Sequence, residues 1–252
     1  MKEKIISVKS LVKNFSNSGS TQTIINKLDL DIFTNDFTII MGSSGAGKST
    51  LMYLLSGMDK ATSGSIIFNN EEISKMSNDQ LAIFRRKNCG FVFQQIYLLD
   101  KMSLMDNVLV SGLLVSSNKK VIVKKAKELF TSVNIPETIY KKNVNQISGG
   151  ECQRAGIVRA AINDPAVIFA DEPTGALNSE NSDAVLDVLT KLNNNGQSII
   201  MVTHDKKSAL RGNRVIYLKD GKIFGELSLN KYKENDKERI ELLDNFLKEM
   251  GW

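Results

Sequence analysis

The chain has one histidine, His204, and two cysteines in 252 residues. Cys89 and Cys152 stand far apart with no Cys-x-x-Cys pair, which excludes a disulfide framework or a thiolate metal cluster. Both read as free thiols. No apolar run approaches the roughly 18 residues needed to cross a bilayer. The start, MKEKIISVKS, lacks the apolar core of a signal peptide, so a cytoplasmic location is expected. No internal repeat or low-complexity tract is found. The lone imidazole closes the stretch MVTHD (201–205), and a single histidine is by itself more often packed or surface-lying than catalytic.

What is present suits an ordinary globular protein near the upper size of one domain, with 42% hydrophobic and 24% charged residues. The net charge of +5 fits anionic partners such as nucleotides, nucleic acid or the inner face of a membrane, although a lysine excess also serves solubility. Short runs rich in isoleucine, valine and phenylalanine read as strands at 5–8, 37–41, 65–68, 91–93, 166–170, 198–202 and 215–218. Helical patterns between several of them predict an α/β fold with a mainly parallel sheet.

From about 100 to 160 the period is helical throughout, which predicts a helical subdomain inserted between strands. Within it Ile122, Ala126, Leu129 and Val133 share one face, and the lysines of KKVIVKKAK (119–127) are expected to take solvent, with contact to a membrane surface the alternative. LKDGKIFGEL (218–227) predicts a hairpin turning at Asp-Gly. The end of the chain predicts an amphipathic helix with Ile240, Leu243, Leu247 and Met250 on one stripe.

The strand at 37–41 runs directly into GSSGAGKST (42–50), a G-x-x-x-x-G-K-[ST] loop between a strand and a helix expected to start near Gly47. Its residues are Gly42, Ser43, Ser44, Gly45, Ala46, Gly47, Lys48, Ser49 and Thr50. The glycines let backbone amides close around phosphate oxygens, and the helix start adds a positive dipole end. Lys48 is expected to reach the β- and γ-phosphates, and the Ser49 hydroxyl to coordinate Mg²⁺. The run AVIFADE (166–172) delivers two carboxylates to a strand's C-terminal edge, where ligands bind in open α/β sheets. Asp171 is expected to hold Mg²⁺ through its water shell, and Glu172 to orient or deprotonate the water attacking the γ-phosphorus.

ISGGECQR (147–154), just ahead of a helical run and the carboxylate pair, resembles the signature sequence of ABC ATPases. Gln94 after GFVF resembles that family's Q-loop, ADEPTGALN (170–178) its extended Walker B and D-loop, and MVTHD its switch region. Phe15 stands where the family stacks an aromatic on adenine. The resemblance spans 5 to about 225. It implies a P-loop NTPase (RecA-like) core, an antiparallel β subdomain and an inserted helical signature subdomain over about 95–160. A single cassette is expected over 1–227, with a helical extension at 228–252.

The resemblance also implies ATP and Mg²⁺ as ligands, and Glu172, His204, Lys48 and Gln94 as catalytic residues. Ser49, Gln94 and Asp171 become the metal-binding set, and His204 faces the γ-phosphate. Ser148, Gly149, Gly150 and Glu151 become a second phosphate site, which in the family meets ATP held by another copy in a head-to-tail dimer. Ser148 can cap the helix behind it while the two glycines bare its first amides. Glu151 stands where glutamine is usual, Asn178 replaces the D-loop aspartate, and Phe15 a frequent tyrosine.

ADEPTGAL resembles the branch of macrolide exporters, lipoprotein-releasing systems and a cell-division ATPase. FVFQQIYLLDKMSLMDNV (91–108) is similar to bacitracin- and lantibiotic-type peptide resistance transporters. An integral membrane permease is then the expected partner at the inner face of the membrane. Segment 94–110 forms much of the groove for its coupling helices, or Tyr97, Leu98, Leu99 and Leu104 are simple core. Nucleic acid is not expected, because repair ATPases of this type need a long coiled coil. A soluble iron–sulfur assembly ATPase is the alternative of another class.

Overall fold

The computed structural model describes residues 2–17 and 20–252. Two long antiparallel strands come first, β1 (Lys4–Asn17) and β2 (Ser20–Phe33). After β3 (Phe37–Met41) and α1 (Lys48–Leu55), strands β4 (Ser63–Phe68) and β5 (Glu71–Glu72) complete an antiparallel sheet of order β2-β1-β4-β5. Then follow α2 (Asn78–Asn88), β6 (Cys89–Phe93), α3 (Leu104–Leu113), α4 (Lys119–Ser132) and α5 (Gly149–Ala161). The chain continues through β7 (Val167–Asp171), α6 (Ser179–Asn194), β8 (Ser198–Val202) and α7 (Lys206–Ala209). It finishes with β9 (Arg214–Lys219), β10 (Lys222–Ser228) and α8 (Lys237–Glu249).

The second sheet has the order β10-β9-β3-β8-β7-β6, parallel except for β10 at one edge. Its central strands are continuous apolar runs, because both faces are covered. Successive side chains point to opposite faces, so each strand feeds two cores. Ile39, Met201, Ile168 and Val215 join the core beneath the helical subdomain and α6. Ile40, Ile200, Phe169 and Ile216 join the core shared with α1 and the antiparallel sheet.

The helices start where a side chain can satisfy their first amides. Ser77, Ser103, Asn118, Asn178, Asp205 and Asp236 each accept a backbone N–H at the start of α2, α3, α4, α6, α7 and α8. The predicted hairpin is β9–β10, and its Asp220 and Gly221 both have positive φ, 49° and 71°. That is the turn an Asp-Gly pair favours, since its twist matches the flanking strands.

Two features differ from the sequence reading, the first strands and the last helix, and one that it left open is decided. β2 went unseen, and β1 extends far beyond 5–8. Register shifts run along their pairing, and Ser10 and Lys27 take positive φ, so the alternation that would reveal strands is broken. In segment 94–110, Leu98 and Leu104 are core, whereas Tyr97 is 64% and Leu99 53% exposed. The final helix turns its stripe by one position: Arg239, Leu243, Phe246 and Leu247 are buried, and Ile240 is exposed. A guanidinium with each of its three nitrogens bonded to a carbonyl occupies the place assigned to an isoleucine.

Candidate functional site

Parallel pairing fixes where the chemical groups emerge. Ile40 lies opposite Val202, Asp171 opposite Val202 across the other ladder, and Phe93 opposite Asp171. The loop after β3, Gln94 after β6, the carboxylates ending β7 and His204 after β8 therefore leave the sheet along one edge. Four stretches distant in sequence meet there.

The phosphate loop ends at Gly47, whose φ of 98° suits the turn into α1. No side chain caps this helix, so its first amides and the positive dipole end face outward together. Lys48 folds over the loop and donates to the carbonyls of Gly42 and Ser43, both at 2.9 Å. Burial pushes its ammonium pKa below the ordinary value, while the carboxylates of Glu172 and Asp171 oppose that shift. Phe15, half exposed, stands at the rim of a 380 Å³ cleft lined by Ile24, Gly45, Lys48, Thr50 and Glu172. The Lys13 ammonium lies 4.7 Å from its ring centroid and is itself paired to Asp59 at 2.7 Å.

Beside the loop, Ser49 Oγ donates to Asp171 Oδ1 at 3.1 Å, and Tyr53 donates its phenol proton to Asp171 Oδ2 at 3.0 Å. Burial first, then the Asp171 charge, pushes the Tyr53 pKa up to about 12, so the phenol keeps the proton it donates. Ser49 and Asp171 offer hard oxygen donors of the kind magnesium takes. No group of three or more His, Cys, Asp or Glu side chains able to hold a metal exists among the described residues. A divalent ion here would draw its remaining ligands from phosphate and water, as magnesium commonly does.

Glu172 follows with φ 46°, a left-handed conformation that costs a non-glycine residue roughly 1–2 kcal/mol. Its amide donates to Val202 O at 3.0 Å, holding the kink against β8. The side chain is gripped at both oxygens. His204 Nδ1 lies 2.7 Å from Oε1, and Thr203 Oγ1 donates to Oε2 at 3.4 Å. A carboxylate can only accept, so Nδ1 carries the hydrogen and Nε2 is left facing outward. His204 is 69% exposed, so its ring is open to a ligand from outside the chain.

Ser148 accepts from the Glu151 amide at 3.2 Å, and Glu151 Oε2 accepts from the Ser148 amide and hydroxyl, both at 2.8 Å. This capping box closes the start of α5. The bond from the Ser148 amide, the largest influence, holds the Glu151 carboxyl below its usual range. A Cβ at Gly150 would come within 2.1 Å of Asn181 Oδ1, and Asn178 holds that Asn181 side chain at 2.8 Å. The D-loop thus leans on the second glycine of the signature.

Gln94 is placed less directly. Its exposed amide lies against Gly175, and no hydrogen bond joins it to Ser49 or Asp171 among the described residues. The link between these parts runs instead through Gln153, which is 1% exposed. Its amide donates to Phe93 O at 2.9 Å and Pro173 O at 2.8 Å, joining α5 to both strand ends.

A family profile described as "ABC transporter" matches residues 25–175 of the chain. The chain belongs to the ABC transporter family. It is 36% identical to the bacitracin export ATP-binding protein BceA of Halalkalibacterium halodurans, across 98% of this chain and 96% of that protein. It is also 36% identical to the macrolide export ATP-binding/permease protein MacB of Pasteurella multocida, across 90% of this chain. That match covers 35% of MacB, so the chain spans about a third of the macrolide-export relatives. A solved dimer of the ATP-binding cassette MJ0796 in a post-hydrolysis state, bound to ADP and Pi, has the same fold, with a TM-score of 0.81. It is 33% identical, over 90% of this chain and all of the other.

Within this ABC cassette the sequence reading missed Tyr53 and Gln153. Neither stands out in sequence: Tyr53 lies four residues after Ser49 on the same helix, and Gln153 hides inside the signature helix. Asp205 caps α7, accepting from the Ser208 amide at 2.7 Å.

Proposed function

We propose that this chain binds ATP with magnesium and hydrolyses it as one half of a head-to-tail pair of identical copies, driving a separate integral membrane permease. The observation that carries the reading is the juxtaposition, on one sheet edge, of an uncapped phosphate-binding helix, the Ser49–Asp171 oxygens and the Glu172–His204 pair. Phe15 would stack on adenine, the loop amides and Lys48 would hold the phosphates, and Ser49 and Asp171 would hold magnesium, with Gln94 closing on it. When bound, magnesium neutralises charge on the phosphate oxygens.

Glu172, held at both oxygens, is oriented to take the proton of an attacking water. With Nδ1–H committed to Glu172, a protonated His204 ring can donate Nε2–H to a γ-phosphate oxygen. A neutral ring can only accept there, as from water. Ser148, Gly149, Gly150 and Glu151 would meet the nucleotide of the second copy.

Glu172→Gln should therefore retain ATP, collect as a dimer and lose on the order of a thousandfold in hydrolysis, the scale of a removed general base. Parental turnover in that variant would remove Glu172 as the base. His204→Ala should lose far more turnover than ATP affinity, and equal loss of both would make it structural.

For the transported substrate, we favour bacitracin- or lantibiotic-type peptide export or resistance, because the likeness to the bacitracin protein runs the length of both chains. Macrolide export, lipoprotein release and a division-linked role are the alternatives within the branch, and iron–sulfur assembly the one outside it. A 720 Å³ groove lined by Met58, Phe91, Tyr97, Leu114 and three arginines, Arg85, Arg86 and Arg159, supports a permease partner at the inner membrane face. Of the segment 94–110, only Tyr97 lines it. Cells lacking this chain should become more sensitive to cell-wall-directed peptide antibiotics. Unchanged sensitivity across such peptides, measured by growth inhibition, would favour the alternatives.

A further inference from the structure

The helix beyond the cassette, α8, holds a charged side chain where its neighbours predict an aliphatic one. Arg239 is 3% exposed. Its guanidinium bonds to main-chain carbonyls: Nε donates to Leu210 O at 2.6 Å, Nη1 to Asn230 O at 2.6 Å, and Nη2 to Gly212 O. Desolvation lowers its pKa, and the Tyr232 ring lies within 5.7 Å of it while also covering Arg211. A buried guanidinium is costly unless its donors are met, and such groups contribute little net stability compared with an apolar residue of similar volume. What they supply is a fixed geometry.

The geometry fixed here belongs to the switch. Leu210 and Gly212 are the first turns of chain after α7, and α7 begins directly after Asp205, the neighbour of His204. Leu210 is the C-cap of α7, where carbonyls lack helical partners and a cation is favoured. A second tie joins Lys206, the first residue of α7, to Asp244 of α8. Leu243 and Leu247 of α8 share a buried cluster with Ala209. On its other side α7 is bound to the turn carrying Glu172: Ser208 Oγ donates to Asp205 at 2.7 Å and lies 3.3 Å from Thr174 Oγ1. One short helix is therefore held between α8 and the catalytic turn, with His204 at its start.

We propose that α8 is a latch on the switch region and that Arg239 is a positioning residue for ATP hydrolysis, setting His204 against Glu172 through α7. This rests on His204 acting at the γ-phosphate, as argued above. The latch places the extension in the hydrolytic step rather than in nucleotide binding, since neither α8 nor α7 lines the cleft of Phe15 and the phosphate loop.

The single histidine makes the test direct, because an imidazole NMR spectrum of this chain contains one ring. Arg239→Lys keeps the charge but replaces the planar three-nitrogen fork that makes the anchor bonds with a single ammonium, and Asp244→Asn loosens the surface tie without touching the core. In both variants the His204 ring signal should shift or split. kcat should fall on the order of tenfold for Arg239→Lys and by less for Asp244→Asn, with KM for ATP within about twofold of parental. A parental ring signal and parental kcat in either folded variant would overturn the latch. So would losses of kcat that merely follow losses of ATP affinity and melting temperature. Parental turnover in His204→Ala would instead remove the reading on which the latch rests, and is read separately.

Discussion

Two helices of this molecule begin at stretches proposed to meet phosphate, and they begin differently. α1 starts at Gly47 with no side-chain cap and a lysine in its first turn. α5 starts at Ser148 with a complete capping box that brings the Glu151 carboxylate onto its own first amides. The first end presents bare donors and positive charge, so it can take a phosphate unaided. The second is already served by its own chain and by a negative charge. Under the proposed function an incoming phosphate there competes with Ser148 and Glu151, which suits a phosphate delivered by a second copy that already holds it. On the proposed function, one site captures the phosphate and the other recognises it.

That contrast can be broken from either side. Lys48→Ala should act most strongly, weakening ATP binding on the order of a hundredfold, because it removes charge-assisted bonds to phosphate; calorimetric titration reads the loss. Ser148→Arg should leave ATP affinity within about twofold while abolishing the ATP-driven dimer, the cost of an unpaired cation and a blocked helix start. A dimer persisting in gel filtration with ATP would refute the second site.

Glu151→Gln should have the smallest effect and the opposite sign. It keeps an acceptor for the Ser148 amide but removes the charge facing the phosphate, so the dimer should tighten about two- to fivefold. Its pH behaviour follows from the lowered pKa of Glu151. The cap stabilises the folded chain fully above the ordinary carboxylate value of 4.5 and loses that contribution as pH falls through the lower folded pKa. Melting curves taken down that range should show a smaller acid loss in Glu151→Gln than in the parental chain.

The sequence was most legible where local chemistry and sheet register coincide. FTIIM with its glycine loop, AVIFADE and SIIMV with His204 are short buried strands ending in their functional groups. Parallel pairing then makes neighbours of strand ends that are remote along the chain. β1 and β2 were obscure because bulges scramble their alternation. Tyr53, Gln153 and Arg239 were obscure for another reason. Each is a polar residue inside a helix whose partners are backbone atoms or side chains far along the chain, and no local pattern announces such bonds. Arg239 additionally displaced Ile240 from the predicted stripe, because hydropathy ranks a guanidinium below an isoleucine whatever carbonyls await it.

The left-handed backbone at Glu172 carries an evolutionary consequence. The residue best suited to that φ is glycine, which would relieve roughly 1–2 kcal/mol of strain and delete the carboxylate in the same step. On the proposed role of Glu172, selection for stability alone would thus drift toward an inert chain. If Glu172 is the proposed base, selection for turnover opposes that drift, and mutational tolerance at position 172 would measure how strongly a lineage still depends on hydrolysis.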